Sequence, residues 1–145
     1  MRIIEFMVLA SCLLAFPCFA QQAAKPATPG FRTLVSEANA HIRHMDTKDL
    51  GRLISDRADF ILIDVRETEE WTNGHAVGAQ HISRGVLEGR IEAAVPGKDK
   101  RVILYCAGGA RSALAAESLQ RMGYSNVWSL DGGIAAYKAA GLPME

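Results

Sequence analysis

The chain has 145 residues, which allows one domain with short appendages but not two full-sized domains. Its 16 basic and 16 acidic residues give a formal net charge of zero, which argues against nucleic acid or an anionic membrane surface as the main partner. A domain of roughly 100 to 120 residues can bury an adequate core without disulfide bonds or structural metals.

The first twenty residues, MRIIEFMVLASCLLAFPCFA, differ in character from the rest of the chain. They carry Arg2, then an apolar stretch broken only by Glu5, then the small residues Cys18 and Ala20 before the expected cleavage point. This order of charged, apolar and small residues predicts a secretory signal peptide over residues 1–20. We therefore expect a periplasmic or secreted protein that keeps no stable membrane insertion after cleavage.

Two other interpretations of this segment stay open. A membrane anchor is the first, but the uncharged run over residues 6–16 is too short to span about 30 Å of hydrocarbon. A lipoprotein signal built on Leu9-Ala10-Ser11-Cys12 is the second. It is less favoured because its apolar lead-in is very short and the apolar stretch continues past the cysteine.

Three regions follow the predicted signal. Residues 21–30 are rich in Ala, Pro and Gln without periodicity, and are predicted to form a flexible linker. Apolar residues at helical spacing predict an N-terminal helical extension over residues 31–45, with its helix at residues 31–44. Residues 46–145 are predicted to form the main domain.

The main domain alternates predicted strands and helices. Its apolar runs are continuous rather than alternating, which predicts a sheet covered on both faces, as parallel sheets are. The predicted strands are residues 60–63, 80–82, 101–105 and 127–130, and the predicted helical segments are residues 48–55, 67–71, 87–94, 112–122 and 134–140. This alternation predicts an α/β architecture.

Counting cysteines isolates one thiol. Cys12 and Cys18 lie in the predicted signal, so the mature chain would carry Cys106 alone, with neither an internal disulfide nor a cysteine metal cluster. A lone cysteine is often a buried, inert side chain, and the residues around it must show whether it is inert or reactive. The four histidines lack metal-ligand spacing with carboxylates, and we expect no metal and no cofactor.

The neighbours of Cys106 favour a reactive thiol. It ends a predicted strand, and a helix is predicted about five residues later, which is where ligands bind in open α/β sheets. Four residues almost without side chains separate it from Arg111, so the backbone N–H groups can curl around the sulfur. These residues are Ala107, Gly108, Gly109 and Ala110. The loop N–H groups, the helix N-terminus and the Arg111 charge would all favour a thiolate.

Five ordered motifs resemble those of the rhodanese-like sulfurtransferase family, and the resemblance covers roughly residues 46–143. They are Asp64-Val65-Arg66-Glu67, Gly74-His75 with Gly78-Ala79, Ile82-Ser83-Arg84-Gly85, the CAGGARS loop, and Leu130-Asp131-Gly132-Gly133-Ile134. The resemblance implies a compact α/β fold around a central, mostly parallel sheet of about five strands flanked by helices. It also implies a cysteine that carries sulfane sulfur as a persulfide.

The resemblance further implies a reaction and its residues. Cys106 would take sulfur from a small donor such as thiosulfate and pass it to a thiol or to cyanide. Arg111 would hold the anionic donor and offset its charge. Residues 107–110 and Ser112 would line the bound sulfur, and Arg84 either attracts the donor or is a solvated residue at the rim.

Three further residues are expected to support the structure. Asp64 is interpreted as a cap and ion-pair partner of Arg66, although its carboxylate could instead accept N–H groups of the loop. His75 is expected to make a structural hydrogen bond rather than to act as a catalytic imidazole. A carboxylate beside a thiolate would oppose ionisation, so Asp64 should not be the general base.

Spacing bears on the nearest alternative chemistry. Cysteine phosphatases of related fold place arginine six positions after the cysteine, usually with histidine just before it. Here Arg111 is five positions after Cys106, and Tyr105 precedes the cysteine. The shorter loop favours a sulfur atom over a phosphate group.

A function of another class also stays open. The chain could be a rhodanese-like binding or sulfur-sensing module without efficient turnover, with the extension over residues 31–45 as a docking surface. The intact Cys106 favours the enzyme. Ala107 and Ala110 stand where some family members carry bulkier or charged residues, so Arg111 is the only charge in the loop. Affinity for thiosulfate would therefore depend on few groups, which weakens the case for thiosulfate as the true donor.

Overall fold

The computed structural model describes residues 29–145, so the predicted signal peptide and most of the predicted linker lie outside the described residues. Within these residues, six α-helices and five β-strands form an α/β domain. The helices are α1 Pro29–His41, α2 Thr47–Ser55, α3 Thr68–Thr72, α4 Leu87–Ala94, α5 Ala110–Arg121 and α6 Gly133–Ala139, and Arg84–Val86 form one 3-10 turn. The strands are β1 Arg43–Met45, β2 Ile61–Asp64, β3 Gln80–His81, β4 Val102–Tyr105 and β5 Val127–Leu130.

The five strands form one sheet in the order β1-β5-β4-β2-β3, and every strand pair is parallel. The predicted central sheet of about five mostly parallel strands is therefore confirmed. Its carboxyl ends meet at one edge, where Asp64 lies in register with Tyr105, immediately before the thiol loop. The crossover helices needed to connect parallel strands account for the two covered faces.

Each face of the sheet packs on its own hydrophobic core. Along β4, Val102 and Leu104 belong to the core beneath α1, α4 and α5, whereas Ile103 and Tyr105 belong to the core beneath α2 and α6. All four side chains are fully buried. Because successive side chains of a strand point to opposite faces, a strand covered on both faces must be apolar throughout. This explains the continuous runs in the sequence.

The N-terminal extension differs from its prediction in two ways. The helix begins at Pro29, inside the predicted linker over residues 21–30, and it ends at His41 rather than at residue 44. Arg43–Met45 then form an edge strand that pairs with β5, so the last residues of the predicted helical extension belong to the sheet. Three residues without a strand-like pattern could not reveal this strand, because its pairing partner lies more than 80 positions away.

Helix α1 is also part of the folded unit. Ala38 is fully buried and Ile42 is nearly so, and both join the core that α5 covers. Within the described residues, no helix is long and apolar enough to cross a membrane.

Candidate active site

The thiol loop joins β4 to α5 at the carboxyl edge of the sheet. Cys106 is 1% exposed, and its Sγ accepts a hydrogen bond from the Gly109 N–H at 3.1 Å. Gly109 has a φ of 105°, a left-handed conformation that favours glycine, and this turn aims its N–H back at the sulfur. The loop thus places a backbone donor on the sulfur at the N-terminus of a 12-residue helix, whose dipole favours negative charge there.

Two buried hydroxyl groups lie beneath the sulfur. Ser112 Oγ is 3.7 Å from Cys106 Sγ and 3.0 Å from the carbonyl oxygen of Gly109, so its one proton can be donated to either acceptor. Ser129, on β5, donates to Ser112 Oγ at 2.9 Å. Because Ser112 Oγ accepts the Ser129 proton, the proton of Ser112 itself remains available to be donated toward the sulfur. Both serines are buried.

Helix α6 holds the loop from the other side. The N–H of Ile134 donates to the carbonyl oxygen of Cys106 at 2.8 Å, and the N–H of Ala135 donates to that of Ala107 at 3.3 Å. A side chain at Gly133 would overlap the carbonyl oxygen of Cys106 and lie 2.8 Å from that of Ala107. The Leu130-Asp-Gly-Gly-Ile motif therefore brings a helix N-terminus against the loop and fixes the direction of its carbonyl groups.

Arg111 is the loop's cation, and it is already paired. Its guanidinium donates to both carboxylate oxygens of Glu70 on α3, at 2.6 and 2.8 Å, and lies 3.9 Å from Glu67. The hydrogen bonds from Arg111 lower the pKa of Glu70 to about 2, and those to Glu70 raise the pKa of Arg111. Arg111 thus lies at the loop, but the carboxylate that neutralises it was not predicted from the sequence.

Asp64 and Arg66 form a buried structural pair. Arg66 Nη2 donates to Asp64 Oδ2 at 2.6 Å, and Arg66 also donates to the carbonyl oxygen of Gly74 at 2.9 Å. Asp64 also accepts the backbone N–H of Arg66, whose guanidinium lies over the Tyr105 ring at 5.7 Å. The carboxylate is thus occupied by Arg66, which favours the structural interpretation of Asp64 over the loop-capping one.

His75 and Arg84 have their own partners. The His75 ring stacks on Trp71 with centroids 3.4 Å apart, and its Nδ1 lies 3.2 Å from the carbonyl oxygen of Trp71. Arg84 binds Glu88 at 2.8 Å and the hydroxyl of Ser118 at 3.1 Å. This environment favours the structural role of His75, whereas a donor-binding role for Arg84 stays a prediction that its contacts do not support. In residues 29–145, no group of three or more His, Cys, Asp or Glu side chains could hold a metal ion.

Comparison with known proteins identifies the family of this chain. The model of the rhodanese-like domain matches residues 46–140, which is most of the described chain. The chain belongs to the rhodanese-like family. The match begins just after β1, so α1 and β1 lie outside the matched rhodanese-like region although they pack on it.

Relatives of this rhodanese-like chain include sulfurtransferases. It is 33% identical over 103 residues to a sulfurtransferase of Allochromatium vinosum, an alignment that covers 71% of this chain and 94% of that protein. It is 29% identical to the tRNA uridine(34) hydroxylase of Escherichia coli over 70% of this chain, but it spans only 33% of that longer protein.

Two solved structures share the fold over most of the chain. One is a protein of unknown function from Rhodopseudomonas palustris, described as a possible tyrosine phosphatase, with a TM-score of 0.75 and 34% identity. The match covers 85% of this chain and 99% of that one. The other is the homodimeric polysulfide-sulfur transferase of Wolinella succinogenes, with a TM-score of 0.69, 30% identity and coverage of 80% and 87%. The likenesses to this transferase and to the sulfurtransferase of Allochromatium vinosum support sulfur transfer in general.

Glu70 and Ser129 belong to the site but were not predicted from the sequence. Glu70 belongs to the acidic run Glu67-Thr68-Glu69-Glu70, where no single carboxylate stands out, and only the position of α3 selects it. Ser129 lies in a buried strand, and an inward polar residue among Val127, Trp128 and Leu130 was a signal that could have been noticed, because buried hydroxyl groups need partners.

Proposed function

We propose that this protein is a rhodanese-type sulfurtransferase that moves sulfane sulfur from thiosulfate to a thiol, or to cyanide in an assay, through a persulfide on Cys106. One observation carries the proposal: the only cysteine among the described residues lies at the carboxyl edge of a parallel sheet, with the Gly109 N–H 3.1 Å from its sulfur. The thiolate is the nucleophilic form of cysteine, and N–H donors stabilise it.

The first half-reaction loads the loop. The Cys106 thiolate attacks the outer sulfur of thiosulfate, a bond forms between the two sulfur atoms, and the sulfur–sulfur bond of thiosulfate breaks. Sulfite leaves with the electron pair of that bond. The resulting persulfide carries a negative charge on its outer sulfur, which the N-terminus of α5 and the loop N–H groups stabilise.

The second half-reaction returns the thiolate. An acceptor nucleophile attacks the outer sulfur, the bond from that sulfur to Cys106 Sγ breaks, and Sγ leaves as a thiolate. Ser112, 3.7 Å from Sγ, can donate a hydrogen bond to this leaving anion. Two displacements at one sulfur need no metal or external oxidant, since the transferred atom keeps its oxidation state.

Arg111 would bind the donor in competition with Glu70. The guanidinium is bound at 2.6 and 2.8 Å by a carboxylate that is 35% exposed, so an incoming dianion can take over one of its N–H groups. A planar guanidinium has five N–H donors, which is enough to hold Glu70 and thiosulfate together. The donor therefore gains only part of the arginine's charge.

A cysteine phosphatase is the second candidate, and the likeness to the possible tyrosine phosphatase of Rhodopseudomonas palustris favours it. Against it, Arg111 is five rather than six positions after Cys106, and Ser112 takes the sixth position. A phosphatase would hydrolyse para-nitrophenyl phosphate in a Cys106-dependent way. We expect no such hydrolysis.

We also propose that the protein acts in the periplasm or after secretion, on the strength of the signal-like pattern in residues 1–20. Expression of the full chain tests this proposal through the N-terminal sequence of the mature protein. Cleavage after Ala20 is expected, and an uncleaved N-terminus in the cytoplasmic fraction would contradict it.

The function is tested by thiocyanate formation from thiosulfate and cyanide. The chain as expressed should form thiocyanate, whereas Cys106→Ser should form none above the uncatalysed rate. Ser118→Ala is a matched control, because Ser118 lies on the same helix but hydrogen-bonds to Arg84 rather than to the thiol loop. Equal formation by the unmodified protein and Cys106→Ser would rule out the enzyme and favour the binding module.

A further inference from the structure

A small cleft of about 210 Å³ lies beside the thiol loop, between the loop and the N-terminal helix. The loop contributes Gly108, Gly109 and Ala110, and β5 with the turn after it contributes Ser129, Asp131 and Gly132. The opposite wall is formed by Val35 and Asn39 of α1 and by His44 of β1. Ligand pockets for drug-sized molecules are about 300–1,000 Å³, so this cleft fits a smaller molecule.

The wall built by α1 and β1 lies outside the region that the rhodanese-like model matches. The rhodanese-like match covers residues 46–140, so Val35, Asn39 and His44 all precede it. The helix is held in place by buried contacts, since Ala38 and Ile42 lie in the core beneath α5. The extension is thus a fixed part of the surface beside residues 108–110 of the thiol loop.

The cleft has one negative and one positive end. At the turn after β5, the Asp131 carboxylate is 55% exposed and only one of its oxygens accepts from His44 Nδ1, at 2.7 Å. At the loop, Gly109 and Ala110 begin α5, whose N-terminus attracts anions. His44 Nε2 lies 3.0 Å from the carbonyl oxygen of Asn39, so both ring nitrogens face oxygen acceptors. Protonated His44 would satisfy both and offset part of the Asp131 charge.

We propose that this cleft is the subsite of the acceptor, and that it selects small thiols that carry an ammonium group. The thiolate of such a molecule would face the loop and the N-terminus of α5, and its ammonium group would face Asp131. This inference rests on the proposed sulfurtransferase function. It adds the chemical class of the acceptor and assigns Asp131 as the residue that determines specificity.

The transfer balances without a further reactant. The acceptor thiolate forms a bond to the outer sulfur of the Cys106 persulfide, and the bond from that sulfur to Sγ breaks. The products are the persulfide of the aminothiol and the Cys106 thiolate. The proton that the acceptor thiol loses before attack goes to solvent.

The test compares two thiols that share a two-methylene spacer and carry opposite charges, cysteamine and 3-mercaptopropionate, as acceptors for the persulfide-loaded protein. The preference for cysteamine, taken from the ratio of the two kcat/KM values, is measured for the unmodified protein and for two variants. Asp131→Asn should reduce the preference about 3- to 10-fold, because it removes a full charge near the ammonium group. His44→Gln should increase it, because it leaves Asp131 without its offsetting cation.

The opposite signs separate charge selection from a structural role. Both substitutions break the same His44–Asp131 contact, so a purely structural contact would change the preference in the same direction in both variants. That result, or an unchanged preference in Asp131→Asn, would overturn the inference.

A binding measurement keeps the subsite testable if turnover fails. Cys106→Ser cannot form a persulfide or a mixed disulfide, so titration with cysteamine followed by NMR reports binding alone. Saturable shifts of the Asn39, Gly108 and Asp131 amides are expected. When Asp131→Asn is added, the affinity for cysteamine obtained from these shifts should fall about 3- to 10-fold. Thiocyanate formation without such shifts would overturn the subsite but not the proposed function. Shifts without thiocyanate formation would overturn the proposed function but not the binding of cysteamine in the cleft.

Discussion

Arg111 and Glu70 form a two-point ion pair beside the thiol loop, with N–O distances of 2.6 and 2.8 Å. The residue that the sequence offers as the loop's free positive charge is therefore largely neutralised by α3. The sulfur is left to the Gly109 N–H, the Ser112 hydroxyl and the N-terminus of α5 for most of its stabilisation. These groups suit a sulfur anion, whereas binding of a dianionic donor depends on how readily Glu70 releases Arg111.

Substitution of Glu70 tests that competition. Glu70→Gln keeps one hydrogen-bond acceptor for Arg111 but removes the negative charge, and should lower the KM for thiosulfate about 3- to 10-fold, on the order of 1 kcal/mol. Arg111→Ala should raise that KM by at least as much. Steady-state kinetics with cyanide as acceptor measures both effects. An unchanged KM in Arg111→Ala would show that Arg111 does not bind the donor.

The same ion pair predicts a dependence of stability on pH. The pKa of Glu70 is lowered from 4.5 to about 2 in the folded state, so its contribution is fully present above pH 4.5 and is lost as the pH falls toward 2. Because the carboxylate is 35% exposed, solvent screening limits the contribution to about 1 kcal/mol. Denaturant unfolding at pH 6 and pH 3 should give a smaller difference for Glu70→Gln than for the unmodified protein. An equal difference would mean that the pair adds nothing to stability.

Gly133 is predicted to be irreplaceable for steric reasons. Gly133→Ala would push a methyl group into the carbonyl groups of Cys106 and Ala107, and should cost about 3 kcal/mol or more together with most of the activity. Gly141→Ala is the matched control, because Gly141 has a similar φ of 68° but nothing within 4 Å of the added atom. It should cost only about 1–2 kcal/mol, the ordinary cost of a left-handed alanine. Equal losses in the two variants would show that the backbone angle, not the contact with the loop, is decisive.

The buried serines are predicted to assist the thiolate. Ser112→Ala removes the hydroxyl 3.7 Å from Sγ and should slow alkylation of Cys106 by iodoacetamide at pH 7 about 3- to 10-fold, as expected for one lost hydrogen bond to an anion. Ser129→Ala should have a smaller effect of the same sign, because Ser112 keeps its proton and loses only its donor. Alkylation followed by mass spectrometry measures both rates. Faster alkylation in either variant would contradict this role.

The sequence predicted the elements whose patterns are local. The strands at residues 60–63, 101–105 and 127–130 were located to within one residue, because buried parallel strands read as continuous apolar runs. The thiol loop could be predicted because packing alone does not explain two glycines between a strand and a helix, whereas a backbone that curls around a sulfur atom does. What failed depends on distant contacts: β1 exists because it pairs with β5, and neither residue composition nor spacing in residues 43–45 records that partner.

The electrostatics of the site were also beyond local patterns. Arg111 was identified, but its partner Glu70 lies 41 positions earlier and is one of three glutamates within four residues. The cleft beside the loop likewise combines α1, β1 and the turn after β5, which are adjacent only in the folded chain. Sequence spacing gives the chemistry of a single loop, whereas charge pairing across elements needs the tertiary structure.

The proposed sulfur transfer requires that Cys106 carry the transferred sulfur. The most direct measurement is the intact mass of the protein after incubation with thiosulfate under non-reducing conditions, followed by peptide mapping. We predict the addition of one sulfur atom at Cys106, its complete loss on addition of cyanide, and no addition to Cys106→Ser. An unmodified Cys106 in a preparation that nevertheless forms thiocyanate would show that the sulfur does not pass through Cys106.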